Sequence, residues 1–175
     1  AALTFDEDNL VAAHAGDVRI YRFRAGTASR LTRDHSILEE LRAARAALSP
    51  EDMAAMANRN VITRALGSKP ELDPTVYLNS YADGDLYLLC SDGLWNSLPD
   101  DAMTSIVLGV PDLEAACHAL IDSANGYGAP DNVTALLLRV HRGNGGWRAN
   151  GPWSASDRAG SARPPRPRRS ASPAR

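Results

Sequence analysis

Leu86-Tyr87-Leu88-Leu89-Cys90-Ser91-Asp92-Gly93-Leu94-Trp95 is an apolar run that breaks off on a polar turn. Leu86 to Leu89 are apolar without interruption, which reads as a buried strand. The strand ends on Ser-Asp-Gly, so a carboxylate stands at the mouth of a sheet with no side chain on the residue after it. That placement suits a hard metal ion and its water. Two further aspartates stand at expected strand edges: Asp17 in Ala15-Gly16-Asp17-Val18-Arg19, and Asp131 in Pro130-Asp131-Asn132-Val133-Thr134. Mg²⁺ and Mn²⁺ take oxygen ligands, and a pair of such ions acidifies a shared water while holding a phosphate oxygen for in-line attack. The carboxylates together point to metal-assisted hydrolysis. Singly, each has a plain structural reading: a turn or helix cap at Asp92, a hairpin turn at Asp17, an Asx turn at Asp131.

Working outward, Asn9 to Ala15 reads as a strand running into the Gly16-Asp17 turn, with Arg19 to Arg24 as its half-buried hairpin partner, closed by Ala25-Gly26. Ser36 to Leu48 carries Ile37, Leu38, Leu41, Ala44 and Leu48 at helical spacing, with Ser36 as N-cap and Glu39 completing a capping box. Ser49-Pro50-Glu51-Asp52 starts a second short helix. Asn60 to Gly67 is open between a strand and a helical turn. Thr75 to Leu78 and Leu86 to Cys90 are strands, and the Asp83-Gly84-Asp85 turn between them is structural. Pro99 and Pro111 open helices through Val107 and Ala124, capped by Asp100 and Asp112. Asn132 to Val140 is a last strand, almost wholly apolar and therefore expected to be central. Strands, then helices, then strands, without a βαβ rhythm, give an α+β fold with antiparallel sheets.

The chain has 175 residues, 44% of them hydrophobic, enough for one domain with a real core. No stretch is long and apolar enough to be a membrane helix, and no signal-like leader opens the sequence. Ala1-Ala2-Leu3-Thr4-Phe5 runs almost at once into strand-like sequence, so the chain is expected to begin inside a domain. Cys90 and Cys117 read as reduced, buried thiols of a cytoplasmic protein. Residues 1–142 carry 12 basic and 20 acidic side chains, net −8, and residues 143–175 carry 7 and 1, net +6. The acidic body disfavours nucleic acid as a partner. Residues 143–175 contain no Leu, Ile, Val or Phe and are expected to be a disordered tail, with 1–142 as the folded unit.

The motifs are specific in combination and order: Gly-Asp-x-Arg at Asp17, Thr-x-Asp-His-Ser at His35, Asn-Val-Ile-Thr-Arg-Ala-Leu-Gly at Arg64, Gly-Asp-x-x-Leu-Leu-Cys-Ser-Asp-Gly-Leu-Trp at Asp92, and Asp-Asn-Val-Thr at Asp131. This series resembles the metal-dependent (type 2C) protein serine/threonine phosphatases from about Leu10 to Val140. The resemblance implies a sandwich of antiparallel β-sheets flanked by helices, with a Mg²⁺ or Mn²⁺ cluster of two or three ions at one edge. It implies metal ligation by Asp92 and Asp131, and by Asp17 at an additional, weaker position. It makes Ser36 to Asn58 the flap beside the site, and phosphorylated proteins the substrates, with a serine/threonine kinase as counterpart. His35 and Arg64 fall within its motifs and are read as structural.

Val18 stands where the family has Ser. The family's N-terminal half, with its metal-bridging Asp-Gly pair, phosphate-binding arginine and general-acid histidine, has no counterpart before Leu10, so the domain is expected to be N-terminally incomplete and the chain inactive alone. The catalytic residues are accordingly unassigned. The alternative is a catalytically inactive phosphatase-like regulatory or binding module, against which the retention of Asp92 and Asp131 argues. A cysteine phosphatase is excluded, because the residues six after Cys90 and Cys117 are Asn96 and Ser123 rather than Arg. A zinc enzyme is disfavoured, because His14, His35, His118 and His141 show no paired ligand spacing.

Overall fold

The computed structural model describes residues 1–6, 9–43, 61–68, 70–71 and 73–141. The expected tail 143–175, the flap beyond residue 43 up to Asn58 and the helix expected from Pro50 lie outside these residues. In chain order the described elements are β1 (Ala2–Phe5), β2 (Asn9–His14), β3 (Arg19–Arg24), β4 (Thr27–Arg30), α1 (Ile37–Ala43), β5 (Thr75–Ser80), β6 (Leu86–Cys90), α2 (Asp92–Trp95), α3 (Asp100–Gly109), α4 (Leu113–Gly126) and β7 (Ala135–Arg139).

The strands form two sheets, ordered β1-β2-β5 and β4-β3-β6-β7, antiparallel at every pairing. The class is α+β, as the sequence predicts. Alternation along β3 and β6 gives the second sheet two apolar faces. Tyr21, Phe23, Leu86, Leu88 and Cys90 face the helices and pack with Leu94, Leu98, Met103, Val107, Leu120 and Ala124. Ile20 and Tyr87 belong to the other face, where Tyr87 meets Phe5 of β1 edge-on at 5.9 Å between ring centroids. Leu10 and Ala12 of β2 are likewise fully buried. The order is thus helices, second sheet, first sheet.

The turn at Gly16-Asp17 is not a hairpin. β2 pairs with β1 and β5, and β3 pairs with β4 and β6, so residues 15–18 carry the chain from one sheet to the other. The hairpin partner of β3 is instead β4, a strand the sequence reading leaves unassigned. Arg24 pairs with Thr27 across a two-residue loop, Ala25 and Gly26, both at positive φ (49° and 77°). Two positive φ values give the loop the twist that a tight hairpin needs, and Ala is a poor advertisement for it.

Other expectations are corrected locally. Ser36 does cap α1, accepting from the Glu39 N–H at 3.3 Å, but the Glu39 carboxylate does not close a capping box: it pairs with Arg33 and Arg42. Asp112 caps α4 through the Ala115 N–H at 2.8 Å. Asp100 is no cap: Pro99 holds that position, and the Asp100 carboxylate accepts from the Tyr21 hydroxyl. Among the described strands β7 is an edge, paired with β6 alone, and Leu136 is 54% exposed. Its apolar run reflects packing of α4 against one side rather than a central place. Of the segment expected from Asn60 to Gly67, the described residues 61–67 carry an isolated bridge, Ser36 with Ile62. Asp85, read as structural, is 1% exposed and forked to Arg24.

Candidate metal centre

β6 delivers Ser91 and Asp92 to the end of the second sheet, where the extended Ser91 gives way to the single turn of α2. The Ser91 hydroxyl does not cap that turn. It donates to the Asn132 carbonyl at 3.0 Å and accepts from the Thr134 N–H at 2.9 Å, while the Ser91 N–H donates to the Thr134 carbonyl at 3.1 Å. Ser91 thus ties the end of β6 to the segment entering β7. Gly93 completes the junction. A Cβ there would overlap the Asn132 carbonyl oxygen and lie 3.0 Å from that of Asp131. The missing side chain, which the sequence shows only as an Asp-Gly pair, is what lets the Asp92 and Asp131 segments touch. Each carboxylate accepts one backbone N–H, from Gly93 at 2.9 Å and from Asn132 at 2.7 Å respectively. Asp92 is half-buried and Asp131 exposed.

Asp17 reaches the same edge from the connection between sheets. Gly16, at a φ of 92°, is gripped twice by His35: its N–H donates to Nδ1 at 3.2 Å, and its carbonyl accepts the His35 N–H at 2.9 Å. The Asp17 carbonyl accepts the Trp95 indole N–H at 3.0 Å, so the turn is bonded to α2. Arg19 lies 3.5 Å over the Trp95 ring and is forked to the buried Asp34 at 3.1 and 2.8 Å. The Gly-Asp-x-Arg, Asp-His-Ser and Asp-Gly-Leu-Trp motifs are therefore one interlocked network. Burial raises the Asp17 carboxyl above its ordinary pKa, a hydrogen bond from its own backbone opposes this, and the Asp92 charge adds to the rise. Asp17 and Asp92 feel each other as like charges.

The structure thus joins Asp92 to Asp131 through backbone contact and Asp17 to Asp92 electrostatically. It does not gather the three into one shell: among the described residues no three His, Cys, Asp or Glu side chains converge, and none of these aspartates has an arginine ion-pair partner. Their oxygen donors fit a hard divalent cation in kind, as part of a coordination shell. Arg64 pairs with Asp73 at 3.1 Å beside a cleft of about 210 Å³ that His35, Thr75 and Tyr77 also line. His14 had no signal in the sequence. It is 2% exposed and stacks on His35 with centroids 4.4 Å apart.

The model of the family described as protein phosphatase 2C matches residues 1–133. The chain belongs to that family. It is 34% identical over 132 residues to the serine/threonine phosphatase stp of Listeria welshimeri, covering 75% of this chain and 52% of that protein. It is 36% identical over 142 residues to the protein phosphatase PhpP of Streptococcus pneumoniae, covering 79% and 56%. The crystal structure of the Mycobacterium tuberculosis serine/threonine phosphatase PstP superposes with a TM-score of 0.70 at 32% identity, over 80% of this chain and 58% of that one. A structure of the PstP catalytic domain in complex with 2 manganese ions gives 0.67 at 33%, over 80% and 57%. The chain spans about half the length of the curated relatives it matches. The two solved structures share this chain's fold over that coverage. The family membership confirms the resemblance carried by the motifs.

Proposed function

We propose that this chain carries the Asp92–Asp131 edge of the catalytic centre of a metal-dependent protein phosphatase, which hydrolyses phosphoserine and phosphothreonine in proteins. The observation that carries the reading is the Gly93 junction. It holds the segments that carry Asp92 and Asp131 in backbone contact at a point that tolerates no side chain. Asp92 and Asp131 would hold Mg²⁺ or Mn²⁺, with Asp17 at a further position and the remaining ligands from outside the described residues. Such ions, two or three in a complete domain, supply an acidified water and a clamp on phosphate oxygens. The chain's own part is to fix its carboxylates by Ser91, Gly93 and Trp95 and to withhold a competing nucleophile: burial pushes the Cys90 thiol up to about 12. That supports direct attack by water rather than a covalent phospho-enzyme.

The relatives named as serine/threonine phosphatases support phosphorylated proteins as substrates and a serine/threonine kinase as functional counterpart. Two free cysteines suit the cytoplasm, and among the described residues no helix is long and apolar enough to cross a membrane. The test is Mn²⁺-dependent phosphopeptide hydrolysis by the full-length protein and its Asp92→Asn and Asp131→Asn variants. Changes to groups around a metal's ligands cost up to about 100-fold, and loss of a ligand is expected to exceed that. Undiminished turnover in either variant contradicts the assignment.

A further inference from the structure

We propose that neutral His35 is a positioning residue for Asp17: it sets the Gly16–Asp17 turn through a hydrogen bond accepted at Nδ1, and protonation of the imidazole releases that turn. The tautomer follows from the partners. A backbone N–H can only donate, so the Nδ1 that receives Gly16 N–H at 3.2 Å carries no proton. Nε2 therefore holds the hydrogen and donates to Thr75 Oγ1 at 2.8 Å. A proton arriving from the adjoining cleft has only the Nδ1 lone pair to occupy. Occupying it sets N–H against N–H and removes the side-chain half of the grip on Gly16.

The surroundings favour the neutral ring and leave the charged one without support. His14 stacks on it from β2, donating Nε2–H to the Arg33 carbonyl at 2.8 Å, while its own Nδ1 is buried with no hydrogen-bond partner among the described residues. Two imidazoles face to face cannot both be charged cheaply. Tyr77 of β5 also stacks on His14, with ring centroids 5.8 Å apart, and the Arg64 cation lies at the cleft. Each acid facing the pair among the described residues is already engaged. Asp34 holds Arg19, Glu39 holds Arg33 and Arg42, Asp73 holds Arg64, and Glu40 accepts from the Thr63 hydroxyl. Burial, then His14 and Arg64, depress the His35 pKa, against weaker pulls from Asp73 and Glu40. The turn is accordingly set at neutral pH and is released as pH falls below the ordinary histidine range. Its consequence for metal at Asp17 rests on the function proposed above.

Hydrogen exchange of the Gly16 amide, followed by NMR on the metal-free protein between about pH 8 and about pH 5, tests the inference without any metal. The Gly16 protection factor, corrected for intrinsic exchange, is expected to fall roughly tenfold on acidification, the scale of one lost hydrogen bond. The core amide of Leu88 should keep its protection. In His35→Asn, whose amide oxygen replaces Nδ1 as acceptor and does not titrate, Gly16 protection should be flat with pH. A pH-independent Gly16 in the unmodified protein overturns the proposal, as does a loss shared equally with Leu88, which would be global unfolding. Mn²⁺ titration of both proteins separates the two claims. A pH-dependent affinity difference between them supports the link to Asp17. Release of Gly16 with identical Mn²⁺ binding would instead contradict the metal role of Asp17 and leave the control of the turn intact.

Discussion

A methyl group at Gly93 would need the space held by the Asn132 carbonyl, and the atoms it would meet, from Asn132 and Asp131, are all backbone. Gly93→Ala is therefore expected to destabilise the fold by about 1–3 kcal/mol, read as a lowered midpoint in urea, and to weaken Mn²⁺ binding by parting Asp92 from Asp131. The buried Asp85 makes a different residue-level prediction. Burial opposes its ionisation, but the Arg24 fork at 2.7 Å, the Ala82 N–H and the Tyr87 hydroxyl outweigh it and hold its pKa below the usual carboxylate value. A depressed folded pKa adds stability above the unfolded pKa and loses it as pH falls through the folded one. The stability gap between the unmodified protein and Asp85→Asn should be widest near neutrality and shrink below about pH 4. A gap independent of pH in urea titrations would show that the charge on Asp85 contributes nothing.

At the scale of elements, caps show what sequence can and cannot say. Asp112 is legible because its carboxylate folds back on its own helix. Asp112→Ala should cost about 1 kcal/mol in chemical denaturation, and no change would mean that water replaces the cap. Asp100 looks the same in sequence but is captured by Tyr21, 79 residues away, which no local pattern reports. Asp92 and Asp131 were legible through motif order, but the contact of their segments depends on Ser91 and Gly93 touching residues some 40 positions on. β4 was missed because Thr27-Ala28-Ser29-Arg30 hardly alternates. The β2–β3 turn was misread because a hairpin and a crossing between sheets share the same Gly-Asp signal. The His14–His35 stack joins the end of β2 to the link between β4 and α1 through tertiary packing, invisible to spacing.

Across the whole molecule, the first sheet has one face turned away from the core. Val76 and Leu78 on β5 are 59% and 69% exposed, opposite Ala13 and Val11 in the β2 register. An apolar sheet face of this kind favours association, so Leu78→Lys is expected to reduce concentration-dependent self-association in sedimentation velocity. Unaltered association would exclude this face as its cause. The chain matches only about half the length of its phosphatase relatives, yet the Asp92 and Asp131 segments touch through Gly93 within it. That edge is expected to be preformed in this chain. Calorimetric titration of Mn²⁺ into this chain, beside the Asp92→Ala, Asp131→Ala double variant, tests it most directly. Binding to the unmodified chain that disappears in the variant is the expected result. Equal binding by both, or none by either, would contradict a preformed metal edge at Asp92 and Asp131.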